Sequence, residues 1–311
     1  MSSQPDSPGG RPRVGYLGPA GTFTEEALLA SAAPDAVEPV ALASIYDTVS
    51  ALRRGTVSLA IVPIENSLEG SINVTLDLLA GEATDVEIMG EALLHVRHSL
   101  IAVAEVGLEE IDTVITHPQV PGQCTLFLRG ELAHARILAA SSTAEAVRTV
   151  VEAAERRHAA IGTRLAASIY GGTVIRERVE DREDNETRFV WLARREEEGG
   201  RSETMRPPLR AGGSAGAGWK TSLVFWGAGA ERPGWLVRCL DEFASRNINL
   251  TKIESRPRRD GLGSYMFFVD LAGRARDAAV ADAIAQIDAM CEQVLVLGSY
   301  PVATGSAAQR S

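Results

Sequence analysis

Cysteine is scarce in this sequence, and the three that occur (Cys124, Cys239 and Cys291) are odd in number and stand far apart. That spacing argues against a disulfide framework and against a cysteine-built metal site, and it fits a reducing, cytoplasmic setting. Histidine is sparse too: the five residues include no HExxH pattern and no pair on one helical face, so no metal is expected. There is no basic excess. The formal charge is 31 − 41 = −10, which leaves no cationic stripe to displace counterions from phosphate, so no nucleic-acid partner is expected. The longest apolar runs, such as residues 59–64, fall far short of the roughly 20 residues that cross a bilayer. Residues 1–13 lack an apolar export core and read as a disordered tail, so no membrane association is expected.

The 311 residues, 45% hydrophobic and 23% charged, suit an ordinary globular chain of two domains. The clearest boundary is residues 194–218, which hold six glycines, two prolines, a run of charge and no aromatic residue. Such a segment buries too little apolar surface to offset its ordering entropy and is expected to be a mobile linker. It separates a front domain, residues 14–193, from a back domain, residues 219–303. The acidic excess lies in the front, where 13 Lys+Arg face 26 Asp+Glu; the back holds 10 of each.

In the front domain, β-rich runs alternate with helical patterns, which implies an α/β fold with parallel sheets. The extended stretch at residues 86–103 interrupts that alternation and suggests a crossover between two lobes. In the back domain the pattern is βαββαβ, the ferredoxin-like order. Its first helix is expected to open with Pro233 at the first helical position and to bury Trp235, Leu236, Cys239, Leu240 and Phe243 as one stripe.

Four front segments can carry chemistry. Residues 18–24 (GPAGTFT) form a turn into a helix; they serve either as turn and N-cap or as an anion site of exposed backbone N–H groups. Residues 63–71 (PIENSLEGS) follow a buried strand, which puts Glu65 and Asn66 where open α/β sheets bind ligands; the plainer reading is a polar loop ending in N-cap Ser71. Thr116-His117-Pro118-Gln119 leads to Gln123-Cys124 and another helix, and Asn185-Glu186-Thr187-Arg188-Phe189 enters a strand after an acidic loop. Together these offer hydroxyls, amides and one arginine, with no Ser-His-Asp or Cys-His set. That composition suits orienting a small polar anion with acid assistance from a hydroxyl, not hydrolysis through a covalent intermediate.

In order, GPAGTFTEEA, VPIENSLEGSINVTLDLL, THPQVPGQC and NETRF resemble the motifs of prephenate dehydratase, and RPGWLVRCLDEFASRNINLTKIESRP resembles the ACT regulatory domain that follows it. The resemblance runs from about residue 14 to about residue 300, linker excluded. It implies a two-lobed periplasmic-binding-protein-like catalytic domain with its site in the cleft, followed by a ferredoxin-like βαββαβ ACT domain. It further implies a lyase that converts prephenate to phenylpyruvate in phenylalanine biosynthesis, inhibition by phenylalanine at the ACT domain, no cofactor, and a homodimer or homotetramer. The family assigns the decisive role to the threonine of TRF, here Thr187. Asn66 and Gln123 match positions near the substrate, Glu65 adjoins them as an orienting group or proton source, and Thr116 stands where the family usually has serine. Arg188 either pairs with a substrate carboxylate or braces its loop. Gly234, Leu236, Asn249, Glu254, Ser255 and Arg256 are implied to frame the effector pocket. There Trp235 replaces the family's usual alanine, so its indole either joins the core stripe or reshapes the pocket. The short segment before the first strand leaves no room for a fused chorismate mutase domain. Arogenate is an alternative substrate, and a non-catalytic amino-acid sensor is the alternative from another class.

Overall fold

The computed structural model describes residues 10–195, 207–210, 218–227, 233–261 and 263–303. The first lobe comprises β1 (Arg13–Leu17), α1 (Phe23–Ser31), β2 (Glu38–Leu42), α2 (Ile45–Arg53), β3 (Leu59–Asn66), the two-residue β4 (Gly70–Ser71), α3 (Asn73–Ala80) and β5 (Val86–His95). The chain then crosses to a second lobe: β6 (Ser99–Ala102), β7 (Thr113–Thr116), α4 (Val120–Gln123), α5 (Thr125–Glu131), β8 (Arg136–Ala139), α6 (Thr143–Ala153), β9 (His158–Gly162), α7 (Arg164–Tyr170) and β10 (Thr173–Glu177). It returns as β11 (Glu186–Arg194). The C-terminal module is β12 (Trp219–Trp226), α8 (Trp235–Ala244), β13 (Leu250–Pro257), β14 (Tyr265–Ala272), α9 (Ala278–Met290) and β15 (Gln293–Pro301), the βαββαβ order read from its periodicity.

Local sequence sets the helix starts. Thr22, Ser44, Ser142 and Thr163 each occupy an N-cap, with the side-chain oxygen accepting a backbone N–H of the first turn. Two expected starts differ. Pro233 lies one residue before the N-cap Gly234, whose φ of 79° is left-handed. Ser71 is not a cap: Ile72 takes that position and the Ser71 hydroxyl turns to Lys252 and Glu254.

In the first lobe the strand order is β2-β1-β3-β11-β5, and in the second it is β10-β6-β9-β7-β8. The chain passes between lobes twice, after β5 and before β11, which makes the expected crossover and leaves a cleft between them. The C-terminal strands run β13-β14-β12-β15, and β15 continues the first sheet through one parallel bridge between Gly298 and Ile88. Gly298 permits that approach, because a Cβ there would collide with the Ile88 carbonyl. One face of the first sheet packs on α1 around Leu28, Phe189 and Trp191. The other packs on α2 and α3 in a cluster that also takes in Val224, Phe268, Leu297 and Tyr300 of the C-terminal module. The two modules therefore share a core.

The expected mobile linker, residues 194–218, and the expected disordered tail fall mostly outside the described residues. The parts that are described are held. Leu209 bridges Ala32 and packs beside Phe189 and Trp191, while the Ala33 N–H donates to Pro208 O at 2.7 Å. Arg13 already belongs to β1, and its guanidinium donates to Thr56 O. Two prolines, Leu209 and Arg210, which donates to the carbonyls of Ser31, Ala32 and Leu29, thus dock a segment whose composition suggested none.

Candidate active site

The cleft is built where β3 and β11 end side by side. In their antiparallel register Thr187 faces Asn66 and Arg188 faces Glu65, with an irregularity before Phe189–Pro63 that gives β3 one extra residue. Glu65 and Asn66 therefore lie in the strand itself, not in the loop after it. The Asn66 amide is oriented by its surroundings: Oδ1 accepts from the Leu68 and Glu69 N–H groups, both at 2.9 Å. Its Nδ2 must then point the other way, where it meets Thr187 Oγ1 at 2.9 Å and Asn185 Oδ1 at 2.8 Å. Thr187 accepts from that amide, so its own hydrogen is free for a ligand. Both residues are more than nine-tenths buried.

Gln123, from the second lobe, joins this group. Its Oε1 accepts from Asn185 Nδ2 and from His98 Nε2, both at 3.1 Å, and its Nε2 donates to Glu69 at 3.3 Å. An amide chain therefore runs from Gln123 through Asn185 and Asn66 to Thr187. His98 was not singled out from the sequence. It is buried edge-on against Phe23, and burial lowers its pKa despite the bond to Gln123, so the ring is neutral with its hydrogen on Nε2. Its Nδ1 is buried without a partner. Asn185 was quoted within its motif but not chosen; an asparagine immediately before a strand that carries the key threonine was the available signal.

Two expectations for the site are corrected, and one open alternative is decided. Thr116 does not face the cleft: its hydroxyl donates to Ile161 O at 2.8 Å and ties β7 to β9. Arg188 braces the fold and is not available to a substrate. Its Nη1 donates to Asp270 of β14 at 2.7 Å and to Glu65 at 3.2 Å, its Nη2 donates to Tyr300 at 3.2 Å, and its Nε stands 3.1 Å from Glu91. Burial alone would lower its pKa, but Tyr300, Asp270 and Glu91 raise it. Burial pushes the Asp270 carboxyl up, but Arg188, Ser222 and Lys220 together outweigh that push and hold it below the usual carboxylate range. Nor is the turn of residues 18–24 an open anion site. The Gly21 N–H donates to Glu25 at 2.5 Å, so the protein's own carboxylate takes the start of α1. Asp181 does the same at α5, accepting from the N–H groups of Thr125 and Leu126. The turn instead joins the lobes, through Thr163 to Gly21 O at 2.6 Å and Tyr170 to Ala20 O at 2.8 Å.

Glu65 also lies 3.4 Å from Lys252 of β13. With its carboxylate held between Arg188 and Lys252, it points away from the cleft. Beside the amide chain the cleft retains a cavity of about 130 Å3 lined by Leu68, Gly122, Gln123, Glu180, Asp181, Arg182 and Asn185. Cys124 is no nucleophile: burial, with the charges of Asp181 and Glu180, pushes its thiol up to about 12. Among the described residues, no group of three or more His, Cys, Asp or Glu side chains stands ready to hold a metal ion, and no helix is long and apolar enough to cross a membrane.

The six residues expected around an effector pocket are not gathered together. Gly234 caps α8 and Leu236 packs on the C-terminal core, whereas Asn249 and Ser255 are exposed. Glu254 and Arg256 alternate to the opposite face of β13 and bind the first lobe: Glu254 meets Ser71, and Arg256 forks onto Asp77 at 2.7 and 2.9 Å. The residues 254–257 form strand, not a strand-end turn. Trp235 is turned into the core between Phe225 and Phe267, with its indole N–H on Met290 O at 2.9 Å.

Two family descriptions match the chain: prephenate dehydratase over residues 14–197 and the ACT domain over residues 229–289. A prephenate dehydratase of Amycolatopsis methanolica is 39% identical over 297 residues, covering 95% of this chain and 90% of the relative. The solved prephenate dehydratase of Arthrobacter aurescens, in complex with L-Phe, superposes with a TM-score of 0.79 at 34% identity, covering 93% of this chain and 90% of that one. A structure described as GqqA, a novel type of quorum-quenching acylase, superposes with a TM-score of 0.78 at 26% identity, covering 93% and 98%.

Proposed function

This chain belongs to the prephenate dehydratase family, and on that premise we propose that its cleft aromatises prephenate to phenylpyruvate with Thr187 as the hydrogen-bond donor to the departing hydroxyl. In that reaction the ring carbon–carboxylate bond breaks and carbon dioxide leaves. The electron pair moves through the ring, and the carbon–oxygen bond opposite breaks. The leaving hydroxide takes up a proton and departs as water. Aromatisation supplies the driving force, so the protein has to hold the substrate, stabilise the charge that develops on the leaving oxygen, and keep water from the carboxylate.

The observation that carries this reading is the 2.9 Å bond from Asn66 to Thr187. Because Thr187 already accepts from the amide, its hydrogen is directed away from Asn66 and toward a ligand in the cleft. A threonine hydroxyl is a weak acid, so its contribution is a strong hydrogen bond to the developing oxyanion rather than a proton given up in advance. Asn66 positions that hydroxyl, Asn185 positions Asn66, and Gln123 brings a third amide from the other lobe. An acylase would need a nucleophile with its base, and the Thr187 hydroxyl has an amide donor in that place.

We assign phenylalanine as the effector, acting through the ACT module; the L-Phe complex of the Arthrobacter aurescens relative supports that choice. Trp235 is lodged in the core beside Phe225 and Phe267, the first of its two alternatives. Assembly as a homodimer or homotetramer is supported by two exposed apolar residues, Val237 of α8 (68%) and Ile253 of the edge strand β13 (50%). A cytoplasmic setting is supported by three free thiols. The test is to incubate the purified protein with prephenate at neutral pH and follow phenylpyruvate, with and without phenylalanine. Product at the buffer rate would sink the enzyme reading, and a rate indifferent to millimolar phenylalanine would sink the effector.

A further inference from the structure

The paired ends of β3 and β11 present two successive residue pairs to opposite sides. Asn66 and Thr187 meet at the cleft; one residue along, Glu65 and Arg188 face the C-terminal module. β13, β14 and β15 of that module's sheet each send a polar side chain to meet them, and β12 joins through Glu91, Asp270 and Tyr300. β12 supplies Lys220, 2.9 Å from Glu91, and Ser222; β13 supplies Lys252, β14 Asp270 and β15 Tyr300. The bonds form a closed ring. Arg188 donates to Asp270 and to Tyr300, Ser222 gives its one hydrogen to Asp270, and Tyr300 therefore donates to Ser222 at 2.6 Å. Three cations, Arg188, Lys220 and Lys252, are interleaved with four carboxylates, Glu65, Glu91, Asp270 and, 3.5 Å from Lys252, Glu254.

Side chains of Arg188, Glu91 and Asp270 are 10%, 1% and 7% exposed, so water does not loosen these bonds. A shift of the C-terminal sheet against β11 must break them or carry the Arg188 backbone along. Thr187 is the next residue on the same strand and has to follow.

We infer that Arg188 is a positioning residue for Thr187, and that its pair with Asp270 carries the state of the ACT module to the cleft. This inference rests on the proposed activity and effector. By linkage, if phenylalanine alters the cleft, a cleft ligand must alter phenylalanine affinity by the same factor, typically about 5–150-fold. Asp270 lies outside the cleft and outside the expected effector residues, and Asp270→Asn removes its charge and one of the two acceptor oxygens that hold Arg188 and Ser222.

The experiment measures phenylalanine binding by calorimetry on the full chain, with and without saturating phenylpyruvate, together with kcat and KM. In the wild type the two dissociation constants differ by the linkage factor. In Asp270→Asn the ratio falls toward one, and kcat drops about ten- to a hundredfold, the cost of a displaced catalytic group, while KM stays within about twofold. Ser222→Ala, a milder cut in the same ring, gives an intermediate ratio and decides the matter where Asp270→Asn does not fold. Folded variants that keep the wild-type ratio and kcat overturn the relay while sparing the proposed function. A wild type that turns over prephenate but shows no linkage overturns the effector and the relay together, and one without turnover overturns the function itself.

Discussion

Replacing Thr187 with valine separates chemistry from architecture. Valine keeps the β-branched shape that β11 favours and removes one hydroxyl. The partner left behind is Asn66 Nδ2, which still has Asn185 Oδ1 at 2.8 Å and Glu186 O at 3.2 Å. No buried donor is orphaned, so the stability cost is about that of one net hydrogen bond, roughly 1 kcal/mol. The catalytic cost is larger. Removing one preorganised donor to a developing oxyanion typically lowers kcat by about 10²–10³, or roughly 3–4 kcal/mol. The expected result for Thr187→Val is therefore a kcat down by about two to three orders of magnitude, KM changed little, and a denaturant midpoint close to wild type. Thr187→Ser, which keeps the hydroxyl, stays within about tenfold of the wild-type rate. Initial rates of phenylpyruvate formation read the first two and urea unfolding reads the third. A folded valine variant that turns over prephenate within tenfold of wild type would refute the role given to the hydroxyl.

Arg188→Met leaves Asp270 and Glu91 buried with a lost partner and should destabilise the chain by about 3–5 kcal/mol, read as a fall in the urea midpoint. Gly21→Ala meets both a φ of 86° and a Cβ 2.7 Å from Ala166, so it should cost at least about 1–2 kcal/mol and weaken contact between the lobes, read as faster proteolysis. Stability should also fall with acid in two steps. His98 and His117 have native pKa values lowered by burial, so the unfolded chain binds more protons as pH drops below about 6.5, and stability declines from there. Asp270 is held below its ordinary value against burial by Arg188, Ser222 and Lys220 together, so its contribution persists above about pH 4 and is lost below it. Urea midpoints across pH 3–8 check both steps, and His98→Gln should flatten the upper one.

Local patterning made much of the fold legible. Period-2 and period-3.6 runs located the βαββαβ module, and of the two caps read from the sequence the one in residues 18–24 holds through Thr22 whereas Ser71 does not cap. The strand β2 was missed because its residues are largely exposed and it sits at the sheet edge. Long-range pairing was less accessible. The role of Arg188 depends on Asp270, 82 residues away in sequence. A signal existed all the same: Asp270 interrupts the apolar run Tyr-Met-Phe-Phe-Val of β14, and an acid in a buried strand requires a cation. Of the two alternatives for residues 18–24, the turn and N-cap holds and the anion site does not, because Glu25 folds back on the Gly21 N–H. Alternation along β13 divides the expected effector residues between two faces, which a motif read as a contiguous word conceals.

The most direct measurement of the central claim follows purified wild-type protein with prephenate at neutral pH, recording phenylpyruvate and carbon dioxide together against a protein-free control. The account predicts equal amounts of both products, formed far faster than in buffer. Prephenate that binds but appears as neither product above the control would contradict it, and would leave the chain a sensor rather than a lyase.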